Sequence, residues 1–463
     1  MARATAIFFI CLLVASQARA RVRNKDDGSS SGSPYVDPKW PIMFFTIIAV
    51  HLGNTNSCVS GYTDAGEGFK ICIPSWVAIA DDGGFLVGEA AKKHGAADPQ
   101  AAAFGFKRLL GRRFTGFDHE VIQRLADRVP YKIVESGAGG VNIELRSTAT
   151  GRANRLDVST AAALVVARLK ASAETYLGLK VHDAVVTVPD YFYEGQRDAA
   201  MDAAAEFAGL TTARIIDEPT AAAVSHGIHK WLRNEGSLLV LHVGGGTTDA
   251  SVLCYNDGVF QGCGCKRDLH LGGDDFDQRI TDHFVELIQQ KHDLDIRNDR
   301  IALGKLRTEC ERAKKELSSR DVAHVRVPDT GLAEPLTRAT LEELNHDLFE
   351  KIVALVDKVE VRGNKLSENK DLIDEVLLVG GSARIPMIQR LISNYFEAKK
   401  PVTAVEPDDS FVYGGPLLVQ PYGDAYECMG VAGRRQWHVS DVCHPRNFRP
   451  RLSLTKPLSV HSV

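Results

Sequence analysis

The sequence has little of what marks a specialised structural class. Nine cysteines in 463 residues are too few for a disulfide scaffold, and a net charge of −4 gives no basic excess for binding nucleic-acid phosphates. Beyond the N-terminus, no apolar run approaches the roughly 20 residues that a membrane-spanning helix needs. The balance of 44% hydrophobic and 25% charged residues excludes wholesale disorder and collagen. At about 150 residues per domain, the length predicts roughly three domain-sized units.

The N-terminus has the pattern of a secretory signal peptide. Arg3 precedes a ten-residue apolar run from Ala6 to Ala15, and Ala18-Arg19-Ala20 offers a small-residue cleavage site. We expect residues 1–20 to be removed and residues 21–39 to form a flexible polar linker. The mature protein is then expected off the membrane and in the secretory pathway. The endoplasmic-reticulum lumen is the expected compartment, although the C-terminus carries no KDEL-type retention signal.

Cysteine spacing gives no metal site. Without Cys11, which lies in the predicted signal peptide, eight cysteines remain, and Cys263 and Cys265 are the closest pair. A C-x-C pair alone lacks the second half of a zinc site. We therefore predict two thiols near the end of a strand at this place.

Short apolar runs alternate with alanine-rich helical stretches from Trp40 onward, which predicts an α/β protein of layered sheets and helices. Apolar strands typical of sheets buried on both faces are expected at residues 42–50, 184–188, 238–241 and 376–379. Helices are expected at residues 159–177, 195–208, 276–291, 302–318 and 341–359. The first of these has Ser159 as its candidate N-cap and ends before Gly178.

Glycine turns at strand ends indicate a nucleotide site. Residues 49–59 and 241–252 share one plan, in which a strand passes a histidine, enters a Gly/Thr turn and emerges as a second strand. This repeat indicates two related lobes that face one ligand. A third turn, Gly380-Gly381-Ser382, also follows a strand. Such turns expose backbone N–H groups to phosphate oxygens, but none has the G-x-x-x-x-G-K-[ST] spacing of a P-loop, which disfavours a P-loop NTPase.

Six motifs together resemble the heat-shock protein 70 (Hsp70) family. They are residues 107–112 (KRLLGR), 185–189 (VVTVP), 216–223 (IDEPTAAA), 244–249 (GGGTTD), 270–277 (HLGGDDFD) and 378–386 (LVGGSARIP). The resemblance runs in the family's order from about residue 42 to about residue 419. With the signal peptide and residues 291–292 and 302–307, it is nearest to the endoplasmic-reticulum luminal binding proteins of plants.

The resemblance implies an α/β, actin-like ATPase fold of two lobes around a cleft that holds ATP or ADP and Mg²⁺. This domain would occupy residues 40–420, with lobe I at about 40–232 plus 404–420 and lobe II at about 237–403. Residues 421–463, with six basic against three acidic residues, are predicted to form an irregular tail where the family has its peptide-binding domain. The chain would then lack a peptide clamp, and its partners would be nucleotide and a J-domain co-chaperone or nucleotide-exchange factor.

The site residues follow from the same motif positions. Lys107 is similar to the lysine that orients the attacking water, Thr247 would act beside the phosphates, and Glu218 and Asp249 would lie near Mg²⁺ and its waters. The nucleotide contacts that the resemblance implies are Gly53, Asn54, Thr55, Gly244, Gly245, Gly246, Thr247, Gly273, Asp275, Glu311, Lys314, Lys315, Ser318, Gly380, Gly381, Ser382, Arg384 and Asp408. Spacing places Glu311, Lys314 and Ser318 on one helical face. Lys315 replaces the family's usual arginine, so stacking on adenine would be weaker.

Two departures from the family concern the metal. The family has aspartates at His51 and His242, where they hold the waters of bound magnesium. Magnesium prefers oxygen ligands, and imidazole, with an ordinary pKa of about 6.5, is a poor substitute. We therefore expect phosphate binding through backbone N–H groups to survive better than hydrolysis. A zinc site on the two histidines alone is disfavoured because a third ligand is lacking.

Three interpretations remain open on the sequence alone. The chain is a chaperone-type ATPase that works slowly through Lys107, Thr247, Glu218 and Asp249, or a non-catalytic module that holds nucleotide or a co-chaperone. The third interpretation is a poorly folding product of a degenerate gene copy. Because two metal-side carboxylates are replaced, the residues favour weak or absent hydrolysis.

Overall fold

The computed structural model describes residues 47–63, 67–116, 118–137, 139–146, 151–206, 208–228, 235–256, 259–397, 401–403, 410–411 and 431–432. The predicted signal peptide and linker, nearly all of the predicted tail, and Asp408 lie outside these residues. In the described part of the chain, no helix combines the length and apolar character needed to cross a membrane.

The strands, in chain order, are β1 (Ile47–His51), β2 (Asn56–Tyr62), β3 (Gly68–Pro74), β4 (Trp76–Ile79), β5 (Phe85–Val87), β6 (Ala102–Phe104), β7 (Lys132–Glu135), β8 (Val141–Arg146), β9 (Ala153–Asp157), β10 (Asp183–Val188), β11 (Thr211–Asp217), β12 (Glu235–Val243), β13 (Thr248–Asn256), β14 (Val259–Asp268), β15 (Val322–Arg326), β16 (Ala333–Thr337), β17 (Glu360–Val361), β18 (Asn364–Lys365), β19 (Glu375–Val379), β20 (Val402–Thr403) and β21 (Val431–Ala432). The α-helices are α1 (Glu89–Ala97), α2 (Asp118–Ala126), α3 (Val158–Leu177), α4 (Glu194–Glu206), α5 (Glu218–Ser225), α6 (Gly273–His292), α7 (Arg300–Glu316), α8 (Arg338–Leu344), α9 (His346–Asp357) and α10 (Pro386–Tyr395). Short 3₁₀ helices lie at Pro99–Ala101, Phe106–Leu109, Lys370–Leu372 and Gly381–Arg384.

Two large mixed sheets repeat one arrangement. The first has the order β11-β10-β1-β2-β3, and the second has the order β20-β19-β12-β13-β14-β21. In the first sheet β1 runs antiparallel to β2 and parallel to β10, and in the second β12 runs antiparallel to β13 and parallel to β19. The predicted pair of strand–turn–strand units is therefore present, one in each large sheet.

Both faces of the second sheet are buried, as its apolar sequence predicted. Along β12, Leu239 and Leu241 belong to one hydrophobic cluster, whereas Leu238 and Val240 belong to another on the opposite face. Helices cover both faces because alternate side chains of a strand point to opposite sides and all of these are apolar. In the first sheet, the alanine-rich α3 supplies much of the core.

Two helix predictions need correction. The N-cap of α3 is Asp157 rather than Ser159, because the Asp157 carboxylate accepts the N–H groups of Ser159 and Thr160. The predicted helix over 341–359 is two helices, α8 and α9, divided at Asn345. The Asn345 side chain donates to the Leu341 carbonyl at 2.9 Å, and such local bonding by asparagine competes with the helical backbone.

Disulfides correct the interpretation of the cysteines. Cys58 bonds to Cys72, directly opposite it on β3, and Cys254 on β13 bonds to Cys263 on β14. The prediction of two thiols at Cys263 and Cys265 is therefore wrong for Cys263. The register of β13 and β14 shifts so that Cys263 is the extra residue of a β-bulge, a feature that C-x-C spacing does not reveal.

Removing the Cys58–Cys72 bond, which spans 14 positions, should lower the free energy of unfolding by about 2–3 kcal/mol, because a cross-link restricts the unfolded chain. Urea unfolding of the parent and of Cys58→Ser/Cys72→Ser, each with and without reductant, measures this. The variant with serine at all four bonded cysteines is the control, since reductant should leave it unchanged. A parent whose unfolding ignores reductant would contradict both disulfides.

Candidate nucleotide-binding site

The two hairpin turns approach each other at the site. A Cβ atom on Gly245 would lie 2.0 Å from Oγ1 of Thr55 in the opposite turn, and one on Gly53 would lie 2.0 Å from the Asn56 carbonyl oxygen. At Gly53 the obstacle is a backbone atom of the same turn, so that position requires glycine, whereas at Gly245 a Cβ would displace the Thr55 side chain. The turns after β1 and β12 therefore form one cradle from two different sheets.

Backbone N–H groups line this cradle. The N–H of Gly244 donates to the Thr247 carbonyl at 2.9 Å. The N–H groups at positions 54, 55, 245 and 246 find no acceptor among the residues that the structure describes. Successive donors of this kind, in turns that glycine keeps open, suit the oxygens of a phosphate chain.

A buried ion pair lies beside the cradle. The Nζ of Lys107, in the 3₁₀ helix Phe106–Leu109, donates to Oε1 of Glu218 at 2.5 Å. Glu218 is the first residue of α5, and both side chains are more than nine-tenths buried. Each buried charge compensates the other, and separating them would leave both without a partner. The pair therefore holds the lysine ammonium at this end of the cleft.

His51 is held at the end of β1. The parallel register of β1 and β10 places it opposite Thr187, and its Nδ1 lies 3.0 Å from the Thr187 hydroxyl oxygen. The same Nδ1 is 3.5 Å from Oε1 of Glu218. Burial lowers the pKa of His51 well below its ordinary value, and the charges of Lys107 and His242 lower it further. The ring is therefore neutral at physiological pH.

His242 occupies the corresponding position in the second sheet. The β12–β13 register pairs it with Asp249, and its Nδ1 donates to Oδ2 of that carboxylate at 3.2 Å. The Thr247 hydroxyl donates to the same oxygen at 3.2 Å. The other oxygen, Oδ1 of Asp249, is buried without a hydrogen-bond partner in the described structure, and so is Oδ1 of Asn54. Unsatisfied buried acceptors at one place indicate a ligand or water.

The third turn closes the opposite side of the cradle. Gly380 has a φ of 90°, and a Cβ there would lie 2.4 Å from the Val243 carbonyl oxygen. The Ser382 hydroxyl donates to the Gly244 carbonyl at 3.0 Å. Lys314 donates to the Gly273 carbonyl at 2.8 Å and to Asp277 at 2.7 Å. The third turn, α6 and α7 thus meet around the second glycine turn.

Comparison with known proteins agrees with this geometry. The family model described as "Hsp70 protein" matches residues 47–420. The chain belongs to the Hsp70 family. Its fold is the actin-like ATPase fold, so the predictions of fold class and family are confirmed.

One curated relative is the Heat shock 70 kDa protein BIP3 of rice, Oryza sativa subsp. japonica. The two are 45% identical over 390 residues, which cover 82% of this chain and 57% of the rice protein. The chain thus spans less than two thirds of the length of this relative. The Hsp70 family in general binds ATP or ADP with Mg²⁺ and works with co-chaperones.

Several of the predicted Hsp70 contacts lie at the rim of the site. Glu311 pairs with Lys315 at 2.6 Å and with Lys92 at 3.5 Å. Asp275 accepts the Gly272 N–H at 2.9 Å and pairs with Arg128 at 2.8 Å. Gly381 and Arg384 begin and end a 3₁₀ helix after β19. The roles of these residues toward nucleotide stay predictions.

The helical face predicted for Glu311, Lys314 and Ser318 is only partly present. Helix α7 ends at Glu316, and Ser318 lies in the turn beyond it, where its N–H bonds to the Lys315 carbonyl at 3.2 Å. Leu317 closes the helix by donating back to Ala313. The predicted helix over 302–318 therefore begins and ends two residues later than α7, a difference within the usual uncertainty of helix ends.

Residues that sequence reasoning missed complete the floor of the cleft. The Phe411 ring packs against His51 at 5.2 Å and His242 at 5.0 Å between ring centroids. A narrow cavity here is lined by Pro189, Asp190, Tyr191, Glu218, Pro219, Val240, His242, Asp249, Ser251 and Phe411. Asp190 directly follows the VVTVP motif, and this position is the sequence feature that could have indicated it as a site residue. No sequence feature indicates that Phe411 lies near the histidines.

Arg108, next to Lys107, bridges the two sheets. Its Nη1 donates to the Leu269 carbonyl at 3.1 Å and to the Gly246 carbonyl at 3.4 Å. A Cβ on Gly246 would lie 3.2 Å from Cζ of Arg108, so the guanidinium rests against the glycine turn. Arg108 therefore ties the 3₁₀ helix that carries Lys107 to the opposite half of the cradle.

The site fits phosphate better than it fits the magnesium of the family. The free N–H groups, the ammonium of Lys107 and the open glycine turns suit a nucleoside phosphate chain. For the metal, the part of the chain that the structure describes contains no group of three or more His, Cys, Asp or Glu side chains able to hold an ion. Glu218 is engaged by Lys107, and Oδ2 of Asp249 by Thr247 and His242. With imidazoles at positions 51 and 242 and one oxygen of each carboxylate engaged, the donor set fits the waters of a hard divalent cation poorly.

Asp190 should make stability fall as pH rises. Burial, followed by the charge of Asp249, raises the pKa of Asp190 from 3.8 to about 6. Between these values the folded chain keeps a proton that the unfolded chain has released, so stability declines through about pH 4 to 6. Asp190→Asn should remove this loss and raise the free energy of unfolding at pH 7.5 by about 1–3 kcal/mol, with a smaller gain at pH 5.

Denaturant unfolding at the two pH values tests this effect. The matched control is Asp127→Asn, which removes an exposed carboxylate without touching the cleft. Equal gains for Asp190→Asn at both pH values would show that the carboxyl is not held protonated by its surroundings.

Proposed function

We propose that the chain is a nucleotide-binding module of the Hsp70 ATPase type, which binds ATP and ADP and hydrolyses ATP slowly or not at all. The observation that carries this proposal is the cradle of two facing glycine turns, with unpaired N–H groups, beside the Lys107–Glu218 pair. A phosphate chain would lie across the turns with its outer end at the Lys107 ammonium. Lys314, Ser382 and Glu311 would meet the nucleoside end.

Weak hydrolysis follows from the histidines. A buried neutral His51 and a hydrogen-bonded His242 supply no negative charge and no oxygen where the family places metal-side aspartates. Phosphoryl transfer depends on positioning and on charge stabilisation, and removing one preorganised group commonly costs 10²-fold or so in rate. Binding through backbone N–H groups does not depend on these side chains. The proposal therefore includes two cases, a slow ATPase and a non-catalytic binding module, which differ only in turnover.

The proposed compartment is the lumen of the endoplasmic reticulum. The signal-peptide pattern at residues 1–20 supports it, and so do the two disulfides, because disulfides form and persist in oxidising compartments. We also propose that a J-domain co-chaperone or an exchange factor is the protein partner, as for the family. Whether the chain takes part in protein folding as a chaperone depends on that partnership.

Narrowing the cradle should weaken nucleotide binding. Gly245→Ala places a Cβ 2.0 Å from Oγ1 and 3.3 Å from Cβ of Thr55, so the Thr55 side chain must move and the added methyl group takes up space between the two turns. We expect the dissociation constant for ADP to rise roughly tenfold or more, equivalent to about 1.4 kcal/mol. Isothermal titration calorimetry measures it. The control is Gly262→Ala on β14, where a Cβ meets nothing within 4 Å; an equal loss in both variants would place nucleotide elsewhere.

Restoring the carboxylates should restore turnover. In single-turnover experiments with ATP and Mg²⁺, His51→Asp/His242→Asp should hydrolyse roughly 10²-fold faster than the parent, because each added carboxylate supplies a missing metal-side group. The matched control, His51→Asn/His242→Asn, offers oxygen atoms without charge and should stay slow. Parent turnover equal to that of an intact luminal chaperone would refute the interpretation of the histidines.

A thermal melt addresses the degenerate-copy interpretation. Ligand that binds only the folded state raises the melting temperature by mass action. A cooperative melt that ADP shifts upward supports a folded, binding-competent chain. A chain without a cooperative melt would favour the degenerate gene copy instead.

A further inference from the structure

Three aromatic rings form the floor beneath the two phosphate turns. The Phe411 ring lies between His51 and His242, with centroids 5.2 Å and 5.0 Å away. Phe411 is 2% exposed and also packs in the hydrophobic cluster that includes Val240. A magnesium ion keeps several waters, and those waters need oxygen acceptors around them. A phenyl ring offers none, so Phe411 supplies no acceptor for the waters of a hydrated cation.

The carboxylates around this floor are already engaged by the chain's own groups. Lys107 holds Oε1 of Glu218 at 2.5 Å, and the Ser251 hydroxyl donates to Oδ2 of Asp190 at 2.8 Å. Thr247 and His242 both donate to Oδ2 of Asp249. Among the described residues at this floor, Oδ1 of Asp249 is the buried carboxylate oxygen that has no partner. Each of these three carboxylates thus has one oxygen committed to the chain's own donors, which leaves fewer acceptors for the waters that magnesium keeps.

Imidazole nitrogens stand along the turns instead. Nε2 of His51 is 3.2 Å from the Cβ position of Gly53, and Nε2 of His242 is 3.0 Å from that of Gly244. Nδ1 of His51 faces the Thr187 hydroxyl oxygen at 3.0 Å and Oε1 of Glu218 at 3.5 Å, so the ring is held by the chain on the side away from the turn. Neither imidazole brings a carboxylate oxygen to the turns, so the donors that face a phosphate oxygen there are the backbone N–H groups.

We infer that this cleft binds ADP and ATP as the metal-free anions, held by the ammonium of Lys107 and the turn N–H groups rather than by a shared divalent cation. The inference rests on the proposed function, because it specifies which form of the nucleotide the same cradle takes. Positive charge for the phosphates comes from Lys107, whose ammonium has donors left beyond the one that Glu218 accepts.

Calorimetric titration of ADP into the full chain tests the inference in three buffers: EDTA, Mg²⁺ and Zn²⁺. The expected dissociation constant in EDTA is equal to or lower than that in Mg²⁺, since only the free anion is required. A dissociation constant that rises when magnesium is removed overturns the inference and leaves the proposed function standing. A requirement for Zn²⁺ also overturns it, because His242 Nε2 would then act as a ligand to a borderline metal. Absence of binding in every buffer removes both proposals.

Variants of the floor give a second, independent readout. His51→Asp/His242→Asp/Phe411→Val supplies two carboxylates and space for water, so ADP should bind more tightly in Mg²⁺ than in EDTA. The matched control, His51→Asn/His242→Asn/Phe411→Val, creates the same space without charge. As in the parent, its dissociation constant for ADP should be equal or lower in EDTA than in Mg²⁺. Ligand-free melts show that each variant is folded. Failure of the aspartate variant to gain magnesium dependence would show that the floor does not decide the form of the nucleotide, and would overturn the inference.

Discussion

The structure depends on the close approach of two backbone turns that come from different sheets. Gly245 allows this approach, since a methyl group there would collide with the Thr55 side chain, and Gly272 lets the start of α6 pack on the second turn, since a Cβ there would lie 2.5 Å from the Gly245 carbonyl oxygen. With the turns in contact, Lys107 and Glu218 from one side meet Thr247 and Asp249 from the other.

The acidic side chains of the cleft are compensated by other groups of the same chain. Glu218 is paired with a lysine, Asp249 accepts two hydrogen bonds, and burial beside other acids raises the pKa of Asp190. An unpaired carboxylate is costly where little water is present. Glu218 and Asp249 therefore have hydrogen-bond donors, and burial favours the protonated form of Asp190. The aromatic floor fits this pattern, because it completes the cleft without adding charge.

Much of the fold and part of the site could be predicted from sequence. The paired turns were visible because strand, histidine and Gly/Thr turn recur in one order, and the buried strands because their apolar runs do not alternate. The helix break at Asn345 was missed because a single side-chain hydrogen bond outweighed a continuous apolar pattern. Phe411 and Thr187 were missed because they meet His51 only through tertiary contacts, 360 and 136 residues away in sequence. Lys314 was predicted as a ligand contact, and nothing in its helix revealed its bond to Asp277.

The Cys58–Cys72 bond has a consequence for how the protein is made. In the β1–β2 register Cys58 stands directly opposite His51, so the covalent cross-link borders the strand that carries the first turn. A chain synthesised in a reducing cytosol and a chain matured in an oxidising lumen are therefore different covalent species at the edge of the same cleft. Thiol titration of each preparation belongs with every nucleotide measurement, because the biosynthetic history of the sample determines which species is being compared.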